Sequence, residues 1–330
     1  MLLKKLLKLY CKPFNSKEKS FIYKNWLNMD KNKSQLQNFL IHITSKSQFI
    51  LYFNEAIQQI YTNLNEMNFY STEHFISTCG AFISILSIYI SNNNKIISKE
   101  KIDLLIKYVL LYVYIDHTLD SDKQYCIILK KILSKIIENK TINKKEYSNL
   151  PLQIQKAIEY LKCLFNESPN CIPFILNAAD IEFESIDVQN LKHDCLKLCY
   201  LKGESSAIAG LTILTDGIVY EGANIIGRLG QLYDDIIDIE IDLNDNILTF
   251  PIECYNKNGN IDFAIETFCI EIEKLPKQYE NFIRLILYSL STFLLSNSYI
   301  SNDLRNIIHN YSLLYFNSIN TSKFYFFDFI

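Results

Sequence analysis

Apolar residues recur along this chain at intervals of three and four, the spacing of one face of an α-helix. Ser71-Thr72-Glu73 opens one such run, which continues to about Ser91. Ser98-Lys99-Glu100-Lys101 opens another, with a Ser-x-x-Lys start that caps more weakly than a full capping box. Further runs cover about 122–138, 152–166, 187–202, 204–219, 222–243, 260–274, 277–297 and 302–318. Between them stand polar clusters and prolines: Asn92-Asn93-Asn94, Asn139-Lys140, Asn166 to Pro169, Asn256 to Asn260, and Pro276. No stretch alternates with the period of a strand. The pattern predicts one all-α domain over residues 1–330, with the first 30 or so residues packed loosely against the rest.

Two features of the pattern bear on location. Met1 to Tyr10 is a short amphipathic Lys/Leu piece without the apolar core and small-residue cleavage site of a signal peptide. A docked or frayed terminal helix is the expected state, in preference to contact with a membrane surface. No apolar run reaches the roughly 18 residues a transmembrane helix needs.

Composition narrows the classes further. Nearly half of the 330 residues are hydrophobic, enough for a sizeable core. A net charge of −3 gives no reason to expect a general nucleic-acid binder. The nine cysteines form no CxxC pairs and have no histidine partners at zinc spacing, as expected for reduced thiols in a cytoplasmic protein. Cys195 and Cys199 lie one helical turn apart, but two ligands do not make a metal site. Arginine occurs at 228, 284 and 305 only, while Lys, Asn, Ile, Tyr and Phe abound, as an AT-rich coding bias would give. Six of the eight glycines fall between Gly203 and Gly230. Each costs a helix about 1 kcal/mol against alanine, so this concentration suggests broken helices, tight helix crossings or close approach to a ligand.

The candidate chemistry lies just after those glycines. In Asp234-Asp235-Ile236-Ile237-Asp238-Ile239-Glu240-Ile241-Asp242, three aspartates fall at i, i+4 and i+8. On a helix they share one face, each about 6 Å further along the axis. Each neighbouring pair repels by roughly 1 kcal/mol in water and about 3 kcal/mol at a partly buried site. The intervening isoleucines call for burial, so the row sits beside a buried face and needs a cation. Oxygen-only ligands favour a hard one such as Mg²⁺. A second pair, Asp116 and Asp120, ends the almost wholly apolar run from Leu104 to Ile115. Two buried carboxylate pairs facing each other would hold several Mg²⁺ ions around a polyanion, with diphosphate the natural candidate. Lys202, before Gly203 and at the end of a predicted helix, is placed to hold a phosphate as a point charge.

With these motifs the chain resembles the class I isoprenoid synthase superfamily, the trans-prenyl diphosphate synthases and class I terpene synthases. Gln231-Leu232-Tyr233-Asp234-Asp235-Ile236-Ile237-Asp238 is similar to the second aspartate-rich motif of prenyl synthases, and Thr249-Phe250-Pro251 to the Thr-x-Pro that follows it. Aligned with the Asn-Ser-Glu motif of terpene synthases, Asp234, Asp238 and Asp242 fall on its three metal-ligand positions. Asp116-His117-Thr118-Leu119-Asp120 resembles the first aspartate-rich motif, with both metal-binding end positions kept. Lys202-Gly203 resembles a Lys-Thr pair whose threonine is lost. The likeness covers roughly residues 70–320.

The resemblance implies a single large helical bundle around a central cavity. Asp116, Asp120, Asp234, Asp238 and Asp242 would bind Mg²⁺ (three ions in the family, with Mn²⁺ able to replace it). Lys202, Gln231 and Arg228 would contact the substrate diphosphate, with Arg305 and Tyr311 as further candidates. Tyr112, one turn before Asp116, would lie just below the metals. It also implies a prenyl diphosphate substrate, release of diphosphate, and a homodimer.

The branch rests on basic residues. An elongating enzyme also binds isopentenyl diphosphate, through a basic motif about 40 residues before the first aspartate motif and an arginine pair just after it. Here residues 47–94 contain no Lys or Arg, and Lys123-Gln124-Tyr125 follows Asp122. That favours a terpene synthase acting on one allylic diphosphate. An all-aspartate second motif favours elongation instead, as does Val188 at the position where terpene synthases carry an arginine sensor. A head-to-head synthase of the squalene or phytoene kind, whose Asp-x-x-x-Asp pattern both motifs also fit, and an inactive regulatory subunit remain further alternatives.

Overall fold

The computed structural model describes residues 2–13, 15–17, 47–93, 95–121, 124–138, 147–188 and 194–312; at 47–51, 53, 54, 72, 73, 76, 117, 120, 121 and 186–188 the backbone alone is described. Every regular element among the described residues is helical. In chain order they are α1 (Leu2–Tyr10), α2 (Ser47–Glu66), α3 (Thr72–Asn92), α4 (Lys99–Ser121), α5 (Gln124–Ile137), α6 (Leu152–Glu167) and α7 (Ile172–Val188). Then follow α8 (Cys195–Thr215), α9 (Ala223–Ile237), α10 (Ile239–Asp245), α11 (Phe250–Asn258), α12 (Asp262–Glu273), α13 (Glu280–Ser296) and α14 (Asn302–Ile308).

Two helices form the centre because they are apolar on nearly every side. In α4 the residues from Leu104 to Leu111 are buried except at Lys107, and α8 is almost continuously buried from Ala207 to Thr215. Around them pack α2, α3, α6, α7 and α9. The closest crossing is between α8 and α9. A Cβ on Gly203 would stand 2.2 Å from the Gly227 carbonyl oxygen, and one on Gly227 would stand 2.3 Å from that of Gly203. The two backbones touch because both positions lack side chains. This contact fixes where Lys202 and Gln231 project.

Several sequence expectations change here. The break after 202 gives way to one continuous α8 through Gly203, since the contact with Gly227 offsets the poor helix propensity of glycine, whereas the break after 219 stands, with α8 ending at Thr215 and α9 beginning at Ala223. Lys202 therefore stands in mid-helix, not at an end. The run 222–243 divides at Asp238, whose φ of −91° and ψ of 6° separate α9 from α10. Helix α7, which carries no predicted counterpart, fills 172–188. In the C-terminal run the helix ends at Ile308, and 313–318 fall outside the described residues.

The terminal Lys/Leu piece is docked. Leu3, Leu6 and Leu7 are buried, and α1 packs on α12 and α13. Its lysine face is exposed. Among the described residues no helix is long and apolar enough to cross a membrane. All nine cysteines are free.

Candidate functional site

A cavity of about 650 Å³ opens among α3, α4, α8, α9, α10 and α13. Seven of the residues singled out from sequence line it: Tyr112 and Asp116 on α4, Lys202 on α8, Gln231 and Asp234 on α9, Asp238 at the junction, and Asp242 on α10. The junction does not scatter the aspartates. The Asp238 N–H donates to the Asp234 carbonyl at 3.0 Å, and the Asp242 N–H to that of Asp238 at 2.9 Å. The i→i−4 ladder thus continues through the bend, and the row keeps its face toward the cavity.

On the α4 side the acid is paired within the protein. Lys202 Nζ lies 3.4 Å from Asp116 Oδ1 and 3.0 Å from Glu182 Oε1. The Tyr112 hydroxyl donates to Glu182 Oε2 at 3.1 Å, and the Ser185 hydroxyl approaches Glu182 Oε1 at 3.3 Å. Burial pushes the Glu182 carboxyl up to about 7 against the pull of Lys202, and Asp116 adds to the rise. Glu182 belongs to α7, the helix the hydrophobic pattern did not predict, so sequence reasoning missed it. The sequence offered little to single it out, because Asp180, Glu184 and Asp187 stand beside it in the chain.

On the α9 side Asp234 and Asp235 are met by neutral donors. The Ser77 hydroxyl, on α3, donates to Asp234 Oδ1 at 3.1 Å, and Gln231 Nε2 donates to Asp235 Oδ1 at 2.9 Å. The Asp234 carboxyl is raised to about 7, chiefly by burial and then by the charges of Asp235 and Asp116, with Ser77 and Lys202 opposing them. Asp235 is raised as well, chiefly by burial, against hydrogen bonds from Gln231 and Cys199. Asp116 on one wall thus stands close enough to act on Asp234 on the other.

This donor set suits a hard divalent cation. The acids lining the cavity offer carboxylate oxygens, and the repulsion that adds to burial at Asp234 is what such a cation would relieve. Among the described residues no three His, Cys, Asp or Glu side chains converge on one point. Mg²⁺ does not require that, because it binds through one or two carboxylates, waters and substrate phosphate oxygens. Asp120 lies one turn after Asp116 in α4, and its side chain is outside the description.

Other candidates stand elsewhere. Arg228 does not line the cavity; it pairs with Glu204 and, at 3.4 Å, with Glu271, and lies 4.9 Å over the Tyr200 ring. Arg305 donates to the carbonyls of Leu295 and Asn297, closing the end of α13. Tyr311 is buried, and its carbonyl accepts from Ser291. The position of Val188 is the last of α7, with the backbone alone described.

Apart from these charged groups the cavity is mainly apolar, with Ile83, Val113, Ile237, Phe282, Leu285 and Ile286 among its walls. Compared with family models, with curated proteins and with solved structures, the chain gives no match.

Proposed function

We propose that this chain is a class I isoprenoid-diphosphate enzyme of the terpene synthase kind, which ionises one allylic prenyl diphosphate and cyclises or quenches the cation. The observation that carries this reading is that one cavity is lined both by Asp116, Lys202, Asp234, Asp238 and Asp242 and by a larger apolar surface. Such a chamber suits a ligand that is a polyanion at one end and a hydrocarbon at the other. Mg²⁺ bound by Asp116, Asp234, Asp238 and Asp242, together with Asp120, would neutralise the diphosphate and serve as Lewis acid. Lys202 holds the anion by charge. Ile83, Val113 and Leu285 keep water from the hydrocarbon end, and Ser77 and Gln231 orient the α9 carboxylates. Among the described lining residues Lys202 is the one Lys or Arg, which favours one diphosphate over two.

Chain elongation with isopentenyl diphosphate is the second reading. It draws on the Gln231–Asp235 hydrogen bond and on Thr249, which lines the cavity at the start of α11 directly before Phe250-Pro251. Incubation with ten-, fifteen- and twenty-carbon allylic diphosphates and Mg²⁺, each with and without isopentenyl diphosphate, separates the two. A hydrocarbon or alcohol product with release of diphosphate is expected. A longer prenyl diphosphate sinks the first reading, and no turnover of any of the three sinks both.

A further inference from the structure

The glycines give a second view of the cavity. At Gly203, Gly227 and Gly210 an added Cβ would come within 2.3 Å of a neighbouring atom, so packing demands the glycine. Gly217, Gly222 and Gly259 have φ of 95°, 86° and 70°, which side chains rarely adopt. Gly230 has neither reason. It sits in the middle of α9 with helical backbone, and a Cβ there would meet Ser84 Oγ alone, at an ordinary 3.5 Å. A glycine in that place weakens the helix relative to alanine. What its missing side chain leaves is space, and the space belongs to the cavity, because Gly230, Ser84 and Ala81 all line it. Gly230 lies one turn before Asp234, about 6 Å along the axis from it.

We propose that Gly230 sets how long an apolar chain the cavity accepts: the ligand's hydrocarbon runs against the bare α9 backbone at Gly230, opposite Ser84. In its full form this rests on the prenyl diphosphate reading above. The charged end is held at Asp234 and beyond, and the chain passes Gly230 on its way inward. A side chain at 230 closes that passage without touching the acids.

Two variants test it. In metal-free protein, Gly230→Ala is expected to melt at or above the wild-type temperature, whereas Gly227→Ala melts well below it; a fall for Gly230→Ala like that of Gly227→Ala overturns the inference. Thermal shifts with Mg²⁺ and the ten-, fifteen- and twenty-carbon diphosphates are then compared between wild type and Gly230→Leu. The bulky variant should weaken the twenty-carbon ligand by about tenfold or more while sparing the ten-carbon one and inorganic diphosphate. Equal weakening of all lengths, or none, overturns it. If wild type responds to no prenyl diphosphate, the proposed function fails by itself, and dodecanol reads the passage independently of charge. A dodecanol shift present in wild type and lost in Gly230→Leu upholds the role of Gly230; a shift kept in both, or absent from wild type, ends it.

Discussion

The two walls of the cavity hold their carboxylates by different means. On the α4 wall Asp116 and Glu182 share Lys202, and the Tyr112 hydroxyl adds a donor, so the protein supplies its own counter-charge. On the α9 wall Asp234 and Asp235 have neutral donors, Ser77 and Gln231, and the Asp234 carboxyl is raised by burial first and by the neighbouring charges of Asp235 and Asp116 second. A group with its charge already matched gains little from a cation, whereas one that is buried among like charges gains much. The α4 wall carries its own cation, and the α9 wall, where like charges add to the cost of burial, bears strain that a divalent ion would remove; both walls hold acids proposed to bind the metal, and Glu182 is raised to about 7 as Asp234 is.

The largest effect expected of this contrast is on turnover. Asp238→Ala and Asp116→Ala should each reduce Mg²⁺-dependent diphosphate release by about 100-fold or more, with the helical circular dichroism unchanged. Near-normal activity in either variant refutes the metal assignment. Next come opposite changes in stability without metal. Lys202→Met leaves Glu182 and Asp116 without their cation and should cost about 3 kcal/mol in urea unfolding. Asp234→Asn keeps an acceptor for Ser77, removes the repelled charge, and should add about 1–2 kcal/mol at pH 8 while abolishing activity. If both variants move stability in the same direction, the walls do not differ as described.

The sequence carried much of this arrangement, and the losses have physical causes. The i, i+4, i+8 aspartates and the apolar run before Asp116 were legible because helical periodicity is local; the aspartates line the cavity, and the run is core, with Tyr112 and Val113 alone reaching the cavity. The bend at Asp238 was not legible, since the hydrogen-bond ladder crosses it and the side-chain spacing is unaltered. Gly203 misled because a glycine in a helix reads as a break, whereas here a partner glycine on α9 makes it a contact. Arg228 misled by proximity in sequence: three residues before Gln231, it points to Glu204 and Glu271 and not to the cavity. Glu182 was invisible because its meaning depends on Lys202 and Tyr112, which are 20 and 70 residues away in the chain.

A smaller effect follows from proton linkage. Asp234 and Glu182 both titrate near 7 in the folded protein, against 3.8 and 4.5 as ordinary values. Between about pH 4 and pH 7 the folded state then binds more protons than the unfolded chain, so their contribution to stability declines as pH rises through that window and is level above it. The slope reaches at most about 1.4 kcal/mol per pH unit for each group. Other carboxylates add slopes of their own, so the useful quantity is the difference between wild type and Asp234→Asn in metal-free buffer. That difference should grow from pH 5 to pH 7 and then hold constant. A difference that stays flat across the window removes the case for a strained α9 wall.

The smallest effect concerns whether the α4 wall is one network. Tyr112→Phe removes a single 3.1 Å donor to Glu182 and should cost about 1 kcal/mol of stability. Glu182 also accepts the charge of Lys202, so the cost should depend on whether Lys202 is present. Without that lysine Glu182 is free to hold a proton, and its bond to the Tyr112 hydroxyl changes from charge-assisted to neutral. In a double-mutant cycle, Tyr112→Phe and Lys202→Met should therefore be non-additive by about 0.5 kcal/mol or more. The same cycle with Arg284→Met, whose partner is Glu280 on the same helix, should be additive. Additivity in the first cycle would mean that Tyr112 and Lys202 act on Glu182 separately, and the matched wall would be two independent contacts.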